Sequence, residues 1–233
     1  MRRIRLLART IRVMKIGSKM KRVQCLLFTI CFLILSGLFY GCGGGPGVPG
    51  SHGTEDTGVI LEATLEPAYL GNNTSSVDAI QDLCDAGPPQ QFEVFTDHTA
   101  AAIIRVRLVN PNPNATLHPG NLYIEKYTVE YRRSSDSIGA PPIQSDTRFK
   151  TIVLTPLTGT AVNVIVDTVT LVDLLRKDQY RADVMSGRYS SGPAFLNNYT
   201  AIYTFEGKNE FGSRFSFKAQ TDFQIGDFNN CGG

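Results

Sequence analysis

The sequence has no tryptophan, three histidines and four methionines in 233 residues. Without tryptophan it lacks the ring that fills the core of antibody-type sandwiches. His52, His98 and His118 fall in a linker, before a strand and in a Pro-Gly turn, with no metal-ligand spacing. There is no CxxC or CxxCH, no GxSxG elbow, and no SxxK, HExxH or Walker pattern. Zinc ribbons, c-type haem attachment and the common hydrolase and nucleotide-binding signatures are therefore unsupported, and the expectation is a non-enzyme with no cofactor or metal. Acid is missing in one place: none precedes Glu55, while nine Lys and Arg residues lie before position 23. Beyond residue 42 the chain carries 14 basic and 21 acidic residues, a net charge of −7. The pI of 8.3 thus averages a basic leader and an acidic body. An acidic body argues against nucleic-acid partners, which require Lys and Arg to displace counterions.

Val23 to Tyr40 is an apolar run preceded by Lys19, Lys21 and Arg22. As a helix it would reach about 27 Å, close to the thickness of a bilayer's hydrocarbon core. Gly41 and Cys42 follow directly. A basic region, an apolar region and Gly-Cys resemble a bacterial lipoprotein signal, with Leu38 one place early for the motif's aliphatic residue. The resemblance implies cleavage before Cys42, acylation of its thiol, and a membrane partner reached through that lipid. Gly43 after the cysteine implies outer-membrane sorting, facing the periplasm or the cell surface. An uncleaved anchor helix is the alternative. Cys25 and Cys31 read as apolar filler. The 19 residues ahead of Met20 read as an over-long start, since MKRVQCLLF is a signal start by itself. Residues 42–57 read as the acylation site and a Gly/Pro-rich tether, with a reach of about 20 Å. The Gly cluster has neither the strand nor the helix of a phosphate cradle around it.

Residues 58–228 read as an immunoglobulin-like antiparallel β-sandwich of about seven strands with one or two short helices. The expected strands are Val59–Glu66, Ala100–Val109, Leu122–Arg133, Phe149–Leu154, Thr160–Val166, Tyr199–Phe205 and Phe211–Phe223. In the third, Leu122 and Ile124 differ in parity from Tyr127, Val129 and Tyr131, which predicts a bulge near Glu125–Lys126. In the fifth, Val162, Val164 and Val166 alternate against Asn163. Helices are expected over Thr168–Tyr180, from the spacing of Leu171, Leu174 and Leu175, and over Ser76–Cys84, from Val77, Ile80 and Cys84. The second lies in a loop insertion, Pro67–Gln91. Residues 229–233 read as a tail.

This order of strands, with Asn110-Pro111-Asn112 and a Leu-rich helix, is similar to the water-stress and hypersensitive-response domain of late-embryogenesis-abundant proteins. The stretch Thr204-Phe205-Glu206-Gly207-Lys208-Asn209-Glu210-Phe211-Gly212 also resembles the closing hairpin of a group of bacterial lipoproteins. The resemblance implies a fibronectin-III-like sandwich in the cell envelope and no catalytic residues.

Two cysteines remain after Cys42: Cys84 and Cys231. In an oxidising envelope an even remainder points to a disulfide between them, with two free thiols as the alternative. Asp82/Asp85 and Asp222/Asp227/Asn229 lack an EF-hand pattern and read as solvated loop acids. Arg132-Arg133 and Arg176-Lys177 read as solvated charges. The functional expectation is a lipid-anchored envelope protein whose sandwich serves binding or assembly. The alternatives are a small-ligand or carbohydrate-binding lipoprotein, marked by exposed aromatics or a deep pocket, and a hydrolase, which would need His98 or His118 to meet a Ser and an acid.

Overall fold

Residues 50–52, 57–110, 119–189 and 193–231 are described in the computed structural model. The signal, Gly41-Cys42, His118 and the Pro111–Pro113 stretch lie outside the described residues. Alternation of side chains makes the strands. Strand β2 (Val59–Tyr69) buries Val59, Leu61, Ala63 and Leu65, and β7 (His98–Leu108) buries Ala100, Ala102, Ile104 and Val106. With β10 (Asn163–Val172) they make three long strands that share one inner face, in the order β10-β7-β2, all antiparallel, and β3 (Asn72–Asn73) extends the β2 edge.

The opposing sheet runs β1 (Gly50–His52), β12 (Arg214–Gly226), β11 (Asn197–Asn209), β8 (Leu122–Arg133) and β9 (Asp146–Leu154). The short strand β4 (Ser76–Asp78) joins β12 in parallel, while β5 (Leu83–Asp85) and β6 (Gln91–Phe92) pair only with each other. The seven long strands thus form the expected two-sheet antiparallel sandwich. Its core is aromatic: Tyr127, Tyr203, Phe205 and Phe217 are buried, and the Phe205 and Phe217 rings stack with centroids 5.0 Å apart. Burying each such ring stabilises by about 2–3 kcal/mol.

The phase change in β8 is a bulge, as its sequence requires. Pairing slips between Ile124 and Lys126 against β9, and between Glu206 and Gly207 on β11. A Cβ at Gly207 would lie 2.0 Å from the Tyr123 carbonyl oxygen, so only glycine fits beside the bulge. The β11–β12 hairpin turns on Asn209, whose Oδ1 accepts from the amides of Phe211 (3.1 Å) and Ser213 (2.8 Å), and on Gly212 at φ +85°. A second slip, between Thr170 and Val172 in β10, takes backbone groups out of the ladder. Tyrosine hydroxyls replace the lost partners. Tyr203 donates to the Thr170 oxygen at 2.7 Å, Tyr127 accepts from the Thr170 amide at 3.0 Å, and Tyr131 donates to the Leu171 oxygen. These bonds cross the sandwich and fix one sheet to the other.

Several expectations are corrected. Ser76–Cys84 is no helix: it contributes β4 and starts β5, because Val77 pairs with Ile225 at the end of β12. Thr168–Val172 belongs to β10, and the helix, α1, runs Leu174–Met185. Its Asp173 cap accepts from the Arg176 amide at 3.0 Å. The buried stripe of α1 is Lys177, Tyr180 and Val184, leaving Leu174 and Leu175 on the outside. Val162, Val164 and Val166 alternate with Asn163 as expected, and it is the valines that face outward. Part of the expected tether, Gly50–His52, is a strand on β12, and the Pro67–Gln91 insertion holds short strands. Among the described residues no helix is long and apolar enough to cross a membrane.

Candidate functional site

One end of the sandwich gathers its buried polar side chains. Tyr69 closes β2, His98 opens β7, Lys177 comes from α1, Asp78 from β4, and Glu93 follows β6. All five are buried, and Lys177 and His98 are 0% exposed. The Lys177 ammonium donates to the Thr96 carbonyl at 2.7 Å and lies over two rings, 4.6 Å from the Phe95 centroid and 5.0 Å from that of Tyr69. The rings supply part of the lost hydration through their negative faces. Burial pushes the amine down to about 8, while Asp78, Asp97 and Glu93 favour its charge.

His98 stacks on Tyr69, with centroids 5.2 Å apart and planes 4° from parallel. Its Nε2 meets the Thr74 carbonyl oxygen at 3.0 Å. A carbonyl only accepts, so Nε2 carries the proton and Nδ1 is bare; Nδ1 is buried without a partner. Burial, reinforced by the Lys177 charge and opposed by the Thr74 bond, lowers the imidazole to about 4. A second proton would place an N–H where nothing accepts it.

Asp78 and Glu93 form a buried carboxyl pair. Burial, and then the hydrogen bond between the two, raises Asp78 to about 7. At neutral pH Asp78 therefore still carries its proton in part and can donate it to Glu93. Chain amides take up its remaining acceptors. Asp78 Oδ1 accepts from Ile80 and Phe228, each at 3.2 Å, while Glu93 accepts from Asp82 at 2.9 Å and from Asn230 at 2.8 Å. Apart from His98 Nδ1, the polar groups named here bond to other parts of the same chain. The cluster is chemically a lock between the insertion, α1 and the C-terminal segment.

Cys84 and Cys231 are joined beside this lock, with Cα atoms 5.2 Å apart. Cys42, the expected acylation site, lies outside the described residues. His98 goes to the core and bonds Thr74 instead of meeting a serine and an acid. Asp222 accepts from the Thr200 hydroxyl at 2.6 Å, and Asp85 from the Gly87 amide at 2.8 Å. Arg133 donates to the Ile138 carbonyl. Arg176 and Lys177 are not solvated. Arg176 joins Asp173 (2.7 Å) and Asp146 (3.3 Å) with its side chain 12% exposed. Asp78, Glu93 and Lys177 escape a motif search because no local pattern marks them. Only the helical spacing of Lys177 with Tyr180 and Val184 points inward.

The solvent-facing features are on the sheets. A shallow depression of about 1010 Å³ on the outer face of the β12-β11-β8-β9 sheet holds one exposed ring, Phe149, between the pairs Lys126–Glu206 (3.0 Å) and Lys208–Glu125 (2.7 Å). The other exposed rings, Phe92 and Phe211, lie on other elements and form no platform with it. Strands β9 and β10 end their sheets, and among the described residues no strand pairs with their outer edges. Val164 and Val166 stand exposed along β10, with Val162 just before it, and Phe149 and Val153 along β9. The Lys150 ammonium bridges from β9 to Asp167 (2.7 Å) and the Thr168 carbonyl (2.6 Å) on β10, past this valine run.

No protein-family model, curated protein or solved structure matches the chain.

Proposed function

We propose that the chain is a lipid-anchored protein of the cell envelope, acylated at Cys42, whose sandwich binds or assembles with a protein partner along the β10 edge. The anchoring half rests on the sequence, on Lys19 to Arg22, the Val23–Tyr40 run and Gly41-Cys42. The domain is proposed to be akin to the late-embryogenesis-abundant module, on the strength of the strand order and the Gly207–Gly212 hairpin. The binding half rests on one observation: β10 is an edge strand that keeps two valines in solvent, Val164 and Val166 at 51% and 64% exposure, with Val162 exposed just before it. Sandwiches ordinarily blunt such edges with charge, proline or a covering segment, because an open edge accepts another strand. An edge left apolar suits a partner that adds an extended segment, whose backbone completes the ladder and whose side chains meet the valines.

The test uses the full chain in its own membranes. A photo-crosslinking residue at Val166 is compared with one at Thr64, exposed on the same sheet face toward the β2 side. Defined adducts at 166 and none at 64 are expected, with loss of the partner in a Val164→Lys/Val166→Lys variant. Equal labelling at both positions, or a mature protein without an acyl group on Cys42 by mass spectrometry, overturns the corresponding half. Among the described residues the carbohydrate reading has in its favour one exposed ring in the depression, Phe149, and the hydrolase reading has no serine and acid at His98.

A further inference from the structure

The C-terminal segment after β12 runs across the β4–β6 insertion, and its grip is of one kind. The Asp227 amide donates to the Ala194 carbonyl at 2.9 Å. After that, the strap hangs on the two buried acids. The Phe228 amide bonds to Asp78, the Asn230 amide to Glu93, and the Asn230 side-chain amide reaches Asp78 Oδ2 at 3.4 Å. The next residue, Cys231, is bonded to Cys84 in β5.

The piece it is tied to has little other support. Leu83, Cys84, Asp85, Gln91 and Phe92 of the β5–β6 hairpin are all exposed. The hairpin touches the rest of the fold through Glu93, through the Gln81 amide on the Glu93 carbonyl (3.1 Å), and through the disulfide. Cys84 is exposed and Cys231 half-buried, so a thiolate has a path to the bond. By contrast, β4 stays paired to β12, and the core strands owe nothing to the strap.

We infer that the Cys84–Cys231 bridge is a redox-sensitive latch: a dithiol reductant releases the C-terminal strap and the β5–β6 hairpin together, uncovering the Asp78–Glu93 pair while the sandwich stays folded. The chemistry is thiol–disulfide exchange. A thiolate of the dithiol attacks one sulfur, the S–S bond breaks and the other sulfur leaves as thiolate. The second thiol of the reductant then resolves the mixed disulfide and leaves as its own disulfide. Two electrons pass to the protein, and both cysteines end protonated. Without the bridge the strap keeps, beyond the Asp227–Ala194 bond, three hydrogen bonds to Asp78 and Glu93.

Hydrogen exchange read by mass spectrometry on the full chain, with and without dithiothreitol, tests this. After reduction in native buffer, amides of 80–93 and 227–231 should approach the rate of unstructured peptide, at least a hundredfold faster than in the oxidised protein. Those of β8, β11 and β12 should remain protected. A Cys84→Ser/Cys231→Ser variant should match the reduced wild type in the same segments without any reductant. A bridge that resists dithiothreitol until the whole chain unfolds overturns the inference. So does a strap that keeps its protection after reduction, or a loss of protection spread evenly over the sandwich.

Discussion

Replacing His98 with phenylalanine separates the packing of this ring from its proton chemistry. The phenyl ring preserves the flat contact with Tyr69 and removes only the Nε2–H bond to Thr74. At pH 7 the variant loses one net hydrogen bond and leaves a carbonyl without that donor, a cost of about 1–2 kcal/mol. Acid reverses the balance. The imidazole stands at about 4 in the fold against 6.5 in a free side chain. Between those values the unfolded chain takes a proton that the folded chain refuses. Stability linked to His98 is therefore complete above pH 6.5 and falls as the pH drops toward 4. The slope is about 1.4 kcal/mol per pH unit, about 3 kcal/mol in all. Phenylalanine pays none of this. The two stability curves should cross near pH 5.5 by the same slope, with the variant more stable by about 1–2 kcal/mol at pH 4. Other carboxyl groups, Asp78 among them, titrate alike in both proteins and cancel in the difference. Urea unfolding followed by near-ultraviolet circular dichroism of the nine tyrosines supplies the measurement, as there is no tryptophan. A difference that stays constant from pH 7 to pH 4 refutes the reasoning, because it would mean that the ring is free to charge in the fold.

Gly207→Ala should cost on the order of 3 kcal/mol, since its Cβ meets backbone 2.0 Å away at Tyr123 and β8 and β11 must part to admit it; thermal unfolding reads this, and a near-neutral result would refute the close approach. Arg176→Met should cost about 3 kcal/mol, because Asp146 and Asp173 keep only Arg148 as a cation and the Gln144 and Ser145 carbonyls lose their donor. Thermal unfolding at neutral pH measures it, and a near-neutral result would refute the weight given to this network.

The long strands were legible because period-two alternation survives in each of them and the turn residues are explicit. Even the β8 bulge was written in the parity change between Ile124 and Tyr127, and the motif at Gly207, Asn209 and Gly212 matches a close approach, a side-chain cap and a positive φ. What failed depended on partners far along the chain. Val77, Ile80 and Cys84 fall at helical spacing, yet Val77 is taken by Ile225 and Cys84 by Cys231, more than a hundred residues away. Propensity over nine residues is a weak prior against such partners. The facing of the valines at β10 was not legible at all, because alternation fixes which residues share a face but not which face is inward. Lys177 was hidden because a lysine counts as polar in any pattern, and its burial is made tolerable by the Thr96 carbonyl and the two rings at its ammonium.

The two sides of the sandwich are finished differently, and that asymmetry bears on the proposed partner edge. On one side, β1 and β4 lie along β12 and β3 lies on β2, so both sheet edges are covered by short strands. On the other, β9 and β10 end their sheets and are joined through side chains, by Lys150 to Asp167 and Thr168, Asn163 to the Thr155 carbonyl and Arg148 to Asp173. A covered edge offers no free ladder to a second chain, whereas at the β10 edge an incoming extended segment meets, among the described residues, no competing strand of its own chain. Charge on that edge should therefore matter: Val164→Lys, at a residue already 51% exposed, should abolish adducts at Val166 while leaving the fold and its stability intact. Undiminished labelling would mean that the apolar edge is not the contact.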